Sequence, residues 1–330
     1  MNSLSYVSLA IYFIAMLAIG LFAYRKSTDD VSGYILGGRQ VSPQVTALSA
    51  GASDMSGWML MGLPGAMFLV GFETLYIALG LLIGALINYL VVAPKLRVYT
   101  EVADNALTIP EFFAKRFGQA DNSIRIIAAA IIVIFFTLYT SAGLVAGGKL
   151  FESAFGLNYD IGLVVTLAVV VSYTLLGGFL AVSLTDFVQG CIMFVALVLV
   201  PFVAYQEFTS ADRMMNFAYQ SIPHFTDAMQ NVTLLGLISS LSWGLGYFGQ
   251  PHIIVRFMAI RSVADIKTAR RIGISWNSWI KILAGQPVRQ RQHRREDEAA
   301  GVDAALARRR LQRRLHVGVP AHQPQHGIRH

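Results

Sequence analysis

The stretch Ser49–Gly65 reads SAGASDMSGWMLMGLPG and combines features that do not suit an ordinary membrane helix. It lies in a segment, residues 42–70, whose one charged residue is Asp54. A carboxylate at bilayer depth costs roughly 2.5–3.5 kcal/mol even on lenient insertion scales. Gly and Ser are poor helix formers, and Pro64 removes a backbone hydrogen bond. Non-helical backbone survives at this depth only where it is buried in protein or lines a wet cavity.

The stretch therefore predicts a helix that is interrupted for a functional reason. Its freed carbonyl groups suit a small hard cation, and its freed amides suit a carboxylate at the start of the outer half-helix. The structural alternative is an Asp54 that only caps a broken helix or pairs with a buried base.

The composition indicates a polytopic membrane protein. Of 330 residues, 55% are hydrophobic, and the mean hydropathy is +0.55, which is rare in soluble domains. The first apolar stretch lacks a basic start and a cleavage site, so it predicts a helix and not a signal peptide. Seven stretches suit the roughly 20 residues that a spanning helix needs, and an eighth begins near Ile272 and fails. The seven are 4–23, 43–70, 73–94, 126–148, 161–177, 187–206 and 232–250.

The distribution of basic residues predicts the orientation of these spans. With the N-terminus outside, thirteen Lys and Arg residues lie on the inner side, Arg256 among them, and two lie outside. Cytoplasmic loops carry such an excess of Lys and Arg. We therefore expect a multi-pass protein of the cell inner membrane in contact with the lipid bilayer. The amphipathic segment 109–117 is expected at the inner interface.

The last part of the chain differs from the rest. From Ile282 onward there are ten arginines and four acidic residues, whereas residues 1–281 have a net charge of +1. We predict a transmembrane domain over residues 1–275 and a basic, non-membrane tail over residues 276–330. The Arg/Gln/His/Ala mixture is typical of a GC-rich gene read out of frame, so the tail is expected not to be the natural continuation. A solvated cytoplasmic tail is the alternative. No nucleic-acid partner is expected, because no aromatic residue after Trp279 is present for base stacking.

The seventh span, like the second, contains helix-breaking residues within an apolar segment. It contains SSLSWGLGYFGQP at Ser239–Pro251, with Trp243 and Tyr247 on one face if helical. Its helix breakers are Gly244, Gly246, Gly249 and Pro251. GLGYFG matches a dinucleotide-binding pattern formally, but no strand precedes it. The two spans are five apart and so run in opposite directions. Paired interrupted segments in inverted repeats indicate a midplane binding site in a secondary transporter.

Six stretches resemble the solute:sodium symporter family, and within it the proline-transporting branch. They occur in order over about residues 5–275. They are YILGGR (34–39), ALSAGASDMSGWMLMGLPGA (47–66), NALTIPEFF (105–113), FFTLYTSAGLVAGGKLFES (135–153), GGFLAVSLTD (177–186) and SWGLGYFGQPHIIVRFMA (242–259).

The resemblance implies an all-α polytopic membrane protein with a leucine-transporter-like inverted-repeat fold, whose second repeat is incomplete here. It implies sodium-coupled symport of L-proline, with Na⁺ as coupling ion and no cofactor. Carried over by position, the backbone carbonyls of Ala52 and Met55 are sodium ligands, and Asp54 lies near the ion and the substrate. The substrate-binding residues are Asp54, Ser56, Gly57, Trp58, Tyr139, Trp243, Tyr247 and Pro251. Aromatic faces suit the ring and the ammonium group of proline, although Trp and Tyr also serve packing and interface belts.

Three functional readings compete. The first is proline symport, which this chain is expected not to perform because it carries half of the sodium site. The second is a non-transporting membrane fragment or scaffold, and the third is a sodium symporter for another organic solute. An enzyme is not expected, because the sequence has no nucleophile–base spacing, metal motif or phosphate loop.

Overall fold

A computed structural model describes residues 3–26, 30–118, 122–208, 219, 225–229 and 232–284. The predicted basic tail beyond residue 284 lies outside the described residues, so the tail stays a prediction. The described chain is almost entirely helical. Its one β-type contact is an isolated parallel bridge between Val41 and Ile260.

Twelve α-helices form within the described part of the chain. Short 3-10 or π-helical segments interrupt several spans at Gly37–Arg39, Trp58–Gly62, Gly71–Thr74, Asn88–Val92 and Trp243–Phe248. The α-helices are α1 Ser3–Lys26, α2 Val31–Leu36, α3 Pro43–Asp54, α4 Leu63–Val70, α5 Leu75–Ile87, α6 Ala93–Val102, α7 Ile109–Arg116, α8 Ser123–Phe155, α9 Tyr159–Phe208, α10 Leu234–Ser242, α11 Pro251–Ala259 and α12 Val263–Ala284.

Four helical stretches of the described chain are long and apolar enough to cross a membrane by length and composition. They are Tyr6–Lys26, Leu63–Val102, Ser123–Phe155 and Tyr159–Val203. The second includes the turn at Gly71, whose φ of 78° lies in the left-handed region, so it holds the end of predicted span two and all of span three. The apolar helical character predicted for these stretches is confirmed.

The second span breaks at the residues that the sequence singled out. Pro43 starts α3, and the side chain of Ser42 accepts a hydrogen bond from the backbone N–H of Val45. The helix ends at Asp54, since Met55 has a ψ of 82°. A π-helical turn over Trp58–Gly62 then leads into α4. A break in the interior of a span leaves carbonyl groups without helical partners.

Predicted spans five and six form the two arms of α9. The nine residues expected between them, 178–186, are helical except for Gly178, which has φ 55° and ψ −143°. The close approach there requires glycine, since a Cβ at Gly178 would lie 2.5 Å from the Tyr34 carbonyl oxygen. The expected loop is therefore a single-residue break.

The arms of α9 pack on α1. A Cβ at Gly20 would lie 2.7 Å from the Cβ of Tyr173 in the first arm, and Gln189 in the second arm donates a hydrogen bond to the Tyr12 hydroxyl at 2.9 Å. The junction between the two arms therefore lies beside the C-terminal half of α1. Spans five and six run up and down beside span one, as the predicted topology requires.

A second helix follows the seventh predicted span directly. Helix α10 passes into the 3-10 segment Trp243–Phe248, and Pro251 then starts α11, which continues to Ala259. The sequence analysis counts Arg256, on α11, among the basic residues of the inner side. The structure buries Arg256 to 6% exposure, where a carboxylate compensates its charge.

Helix α5 runs parallel to α10 and the 3-10 segment, with the two backbones in direct contact. A Cβ at Gly80 would lie 2.5 Å from the Leu241 carbonyl oxygen, and one at Gly84 would lie 2.2 Å from that of Gly244. One turn later, Asn88 Nδ2 donates a hydrogen bond to the carbonyl of Tyr247 at 3.0 Å. Small residues let membrane helices approach this closely, and the contact sets the position of the 3-10 segment.

Two buried arginines bind the C-terminal end of α11. Arg39 donates to the Met258 carbonyl at 2.8 Å, and Arg97 donates to the Ile260 carbonyl at 2.6 Å. These cations satisfy carbonyl groups that a helix end leaves without partners, where the helix dipole also favours positive charge. The C-terminal end of α11 is thereby fixed to the segment before α3 and to α6.

We expect Gly84→Ala to lower the melting temperature and the folded yield of the 330-residue chain in detergent. The added methyl group would meet the Gly244 carbonyl oxygen, and a rigid backbone atom cannot move aside as a side chain does. The matched control is Gly143→Ala, because a Cβ at Gly143 meets nothing within 4 Å. Fluorescence-detected size exclusion after heating measures both variants. Equal melting temperatures for the two variants would contradict a tight contact at Gly84.

Candidate functional site

Asp54 and Tyr247 join the two interrupted spans. The Tyr247 hydroxyl donates a short hydrogen bond to Oδ2 of Asp54. Asp54 is the last residue of α3, and Tyr247 lies in the 3-10 segment with 3% of its surface exposed. The two residues are 193 positions apart in the chain. The structure therefore brings together the breaks that the sequence paired only by analogy between the spans.

Trp58 and Trp243 lie beside this contact, one from each interrupted span. Their rings stack with centroids 4.7 Å apart and planes inclined by 22°. Gly62 makes room for the indole of Trp58, since a Cβ there would lie 2.8 Å from its ring. Trp58 is half-buried, whereas Trp243 is 48% exposed. The two indoles form an apolar wall across the two breaks.

Tyr139 reaches the same region from α8. Its hydroxyl donates to the Ser53 carbonyl at 3.3 Å, and its ring stacks on His252 at 5.4 Å. His252 follows Pro251, the first residue of α11, and also meets Phe136 edge to face. His252 thus packs among aromatic rings beside the predicted site.

The remaining predicted residues lie at the break of span two. Ala52 and Met55 flank Asp54, and the Ala52 carbonyl accepts a hydrogen bond from the Met55 amide at 3.2 Å. A carbonyl oxygen has a second lone pair, so this bond leaves it able to accept another partner. Ser56 and Gly57 follow directly, and the Ser56 carbonyl accepts from Met59 at 3.0 Å.

A buried charge cluster lies one turn deeper, and sequence reasoning missed it. Arg256 on α11 forms an ion pair with Asp186 on α9 at 2.7 Å, and its Nε donates to the Ser49 hydroxyl at 2.8 Å. The hydroxyls of Ser49 and Ser53 both donate to the same Asp186 oxygen, at 2.7 and 3.0 Å. The cluster therefore connects α3, α9 and α11.

A sequence signal for Asp186 was available. It is the only charged residue between Asp160 and Glu207, as isolated in its apolar surroundings as Asp54 is. The pairing of Asp186 with Arg256 was not predicted, because Arg256 was assigned to a loop outside the membrane. A charge in an apolar segment is tolerated when it is paired, and only the three-dimensional structure shows which pairs form.

Polar groups cluster around the end of α3. Ser49 and Ser53, one turn apart, face Asp186 and Arg256, whereas the Asp54 carboxylate meets the Tyr247 hydroxyl. Together these groups present carboxylate, carbonyl and hydroxyl oxygens, which small hard cations prefer as ligands. The stacked indoles of Trp58 and Trp243 come from the segments that follow Asp54 and precede Tyr247. This arrangement can hold a small cation next to an amphiphilic organic molecule.

Comparison with known sequences supports a transporter. The profile of the sodium:solute symporter family matches residues 34–285, which include both interrupted spans. The chain belongs to this family. The family is one of transporters and not of enzymes, and its members are multi-pass membrane proteins.

Two curated relatives show how similar this symporter-family chain is to characterised proteins. The osmoregulated proline transporter OpuE of Bacillus subtilis (strain 168) is 61% identical over 270 residues, which are 82% of this chain and 55% of the relative. A sodium/proline symporter of Staphylococcus aureus (strain JH9) is 52% identical over 275 residues, which are 83% and 54% of the two chains. The chain therefore spans about half the length of the curated relatives it matches.

A solved symporter structure has the same fold. It shows the substrate-bound, outward-open state of a Na⁺-coupled sialic acid symporter, and it matches with a TM-score of 0.73 at 17% sequence identity. The match covers 86% of this chain and 59% of that one. The predicted all-α, leucine-transporter-like fold is confirmed by this match.

We expect Asp186→Asn and Arg256→Gln each to destabilise the 330-residue chain by about 3–5 kcal/mol, because each leaves a buried charge without its partner. The double variant should lose less than the sum of the two single losses. Thermal unfolding in detergent measures all three variants. The matched control is Lys149→Gln, which breaks an exposed pair with Glu152 and should cost about 0–1 kcal/mol. Additive losses in the double variant would contradict a coupled pair.

Proposed function

We propose that residues 1–284 form the part of a sodium/L-proline symporter that contains the substrate pocket and one wall of the sodium site. The observation that carries the proposal is the contact between Asp54 and Tyr247, which joins the breaks of two spans. Such breaks lie at the midplane site of secondary transporters with inverted repeats. The names of the two curated relatives supply the solute and the ion.

The residues around the breaks suit the chemistry of proline. Its ring is apolar and flat enough to lie against an indole, and its secondary ammonium group is attracted to aromatic faces and to a carboxylate. Trp58 and Trp243 supply the faces, and Asp54 supplies the charge. Tyr139 and Pro251 close the pocket from α8 and α11, while Ser56 and Gly57 line it from the break of span two.

The sodium ion is assigned to the end of α3. The backbone carbonyls of Ala52 and Met55 are the proposed ligands. Asp54 lies between these two residues in the chain, so its negative charge would attract the ion to this position. Oxygen ligands that replace the hydration shell must be numerous, because dehydration of a small cation is costly. Two carbonyls make up only one wall of such a site, and the remaining ligands must come from elsewhere.

The proposed placement is the cell inner membrane with the N-terminus outside. The excess of basic residues on the other side supports it. The buried arginines Arg39 and Arg97 lie on that inner side, where they bind the end of α11. The predicted division into a symporter domain, 1–275, and a basic tail stays a proposal. Helix α12 crosses residue 275 and ends at Ala284.

Transport is tested in a chimera that joins residues 1–284 to the remaining C-terminal part of the Bacillus subtilis proline transporter. In a strain deficient in proline uptake, we expect radiolabelled proline to accumulate with Na⁺ and not with choline. Asp54→Asn should reduce uptake by about tenfold or more, equivalent to roughly 1.4 kcal/mol of lost binding. The control is Asp160→Asn, an exposed carboxylate.

Near-normal uptake by Asp54→Asn, with unchanged sodium dependence, would overturn the role of Asp54. No sodium-dependent accumulation of proline by a correctly inserted chimera would overturn proline as the solute and would favour another organic solute. The 330-residue chain is assayed beside the chimera, and clear sodium-dependent uptake by it would contradict the expectation that half a sodium site does not suffice.

We expect proline to protect cysteines at positions 243 and 247 from a water-soluble maleimide. The background is Cys191→Ser, which removes the one native cysteine. Trp243→Cys should react faster than Tyr247→Cys, because Trp243 is 48% and Tyr247 3% exposed. The control is Leu245→Cys, on the same 3-10 segment and 65% exposed, where proline should have no effect. Equal protection at 243 and 245 would argue against a pocket.

A further inference from the structure

A small polar cavity lies behind the site, between α3, the junction of α5 with its π-helical turn, the 3-10 segment and α12. It offers about 10 Å³ to a water-sized sphere, which is room for one water molecule. Its lining residues include Gly51, Asn88, Tyr89, Tyr247 and Asn277. The predicted substrate and sodium residues lie outside this set, except for Tyr247.

Three side-chain atoms of this lining have no hydrogen-bond partner among the described residues. They are Oδ1 of Asn88, the hydroxyl of Tyr89 and Oδ1 of Asn277. The three residues are only 1%, 4% and 3% exposed. Buried polar atoms in native proteins are nearly always hydrogen-bonded to protein or to ordered water, so three such atoms around one cavity point to a bound molecule.

The close packing of α12 keeps these atoms together. A Cβ at Gly273 would lie 2.7 Å from the Tyr89 hydroxyl oxygen, so only glycine admits that hydroxyl at this point. Asn277 follows one turn later on the same face of α12. The ring of Tyr89 is held on its other side by an edge-to-face contact with Phe257 at 4.8 Å.

We propose that this cavity binds one water molecule. The water donates hydrogen bonds to Oδ1 of Asn88 and of Asn277 and accepts one from the Tyr89 hydroxyl. Three bonds are the usual number for a buried water. A sodium ion fits less well, because the cavity presents three neutral oxygen atoms, which are too few to replace the hydration shell of a small cation.

The water has a consequence for Tyr247. With Oδ1 of Asn88 bound to water, the amide of Asn88 faces the other way and donates to the Tyr247 carbonyl at 3.0 Å. Asn88 is therefore a positioning residue for the segment that carries Trp243 and Tyr247. This consequence rests on the proposed function, whereas the water site itself does not.

The test uses the melting temperature of the 330-residue chain in detergent, which requires no transport. Tyr89→Phe removes only the hydroxyl, and Asn277→Leu removes the amide at similar volume. If water bridges the atoms, each variant lowers the melting temperature by about 2–4 °C, and the double variant loses less than the sum. Tyr24→Phe, at an exposed tyrosine, is the control and should change nothing.

The opposite result overturns the proposal. Unbridged buried polar atoms are destabilising, so their replacement by apolar groups would raise the melting temperature additively. Tyr89→Phe keeps every carbon atom and decides the question even if Asn277→Leu fails to fold. An experimental structure at high resolution should show one density peak within about 3 Å of all three atoms. An empty cavity, or a peak that disappears when choline replaces Na⁺, would contradict a bound water.

Discussion

The ion pair between Arg256 and Asp186 is the contact on which the site depends, because neither charge is stable alone in an apolar interior. Asp186 holds the second arm of α9, and Arg256 holds α11. The hydroxyls of Ser49 and Ser53 satisfy the carboxylate further and so bind α3 to both helices. The interrupted helix with Asp54 is therefore fixed by charge at Ser49 and Ser53, where weak helix formers offer little stability of their own.

A second constraint acts through the backbone. Gly80 and Gly84 let α5 touch the chain at Leu241 and Gly244, so the 3-10 segment is located by main-chain atoms and not by its own side chains. This leaves the side chains of Trp243 and Tyr247 available to meet Trp58 and Asp54. A membrane protein gains little from burying apolar groups among lipid tails, and close backbone contact supplies the packing energy instead.

The residues themselves predicted the helical spans and their two breaks, because hydrocarbon permits so few arrangements of the backbone, whereas the leucine-transporter-like fold was implied by the family resemblance. An isolated Asp54 among small residues, and glycines around Trp243, were enough to locate both breaks. The charge cluster was not foreseen, since a count of loop cations cannot show that Arg256 meets Asp186. The single-residue break at Gly178 depends on packing against Tyr34, which no local pattern reports. The roles of the site residues came from family resemblance and not from geometry.

The separation of the charged partners along the chain bears on how such a protein is made. Ser49 precedes Arg256 by 207 residues, and at about 5–20 residues per second a ribosome needs roughly 10–40 s to cover that distance. During this time the carboxylates of Asp54 and Asp186 have entered the translocation machinery, while Arg256 and Tyr247 have not yet been synthesised. Both acids must be kept hydrated or protonated until α11 arrives. Helix α11 thus supplies a partner that α3 and α9 lack when they are inserted, and nascent chains that end before Arg256 expose an unmatched Asp186 carboxylate to the proteases that survey the membrane.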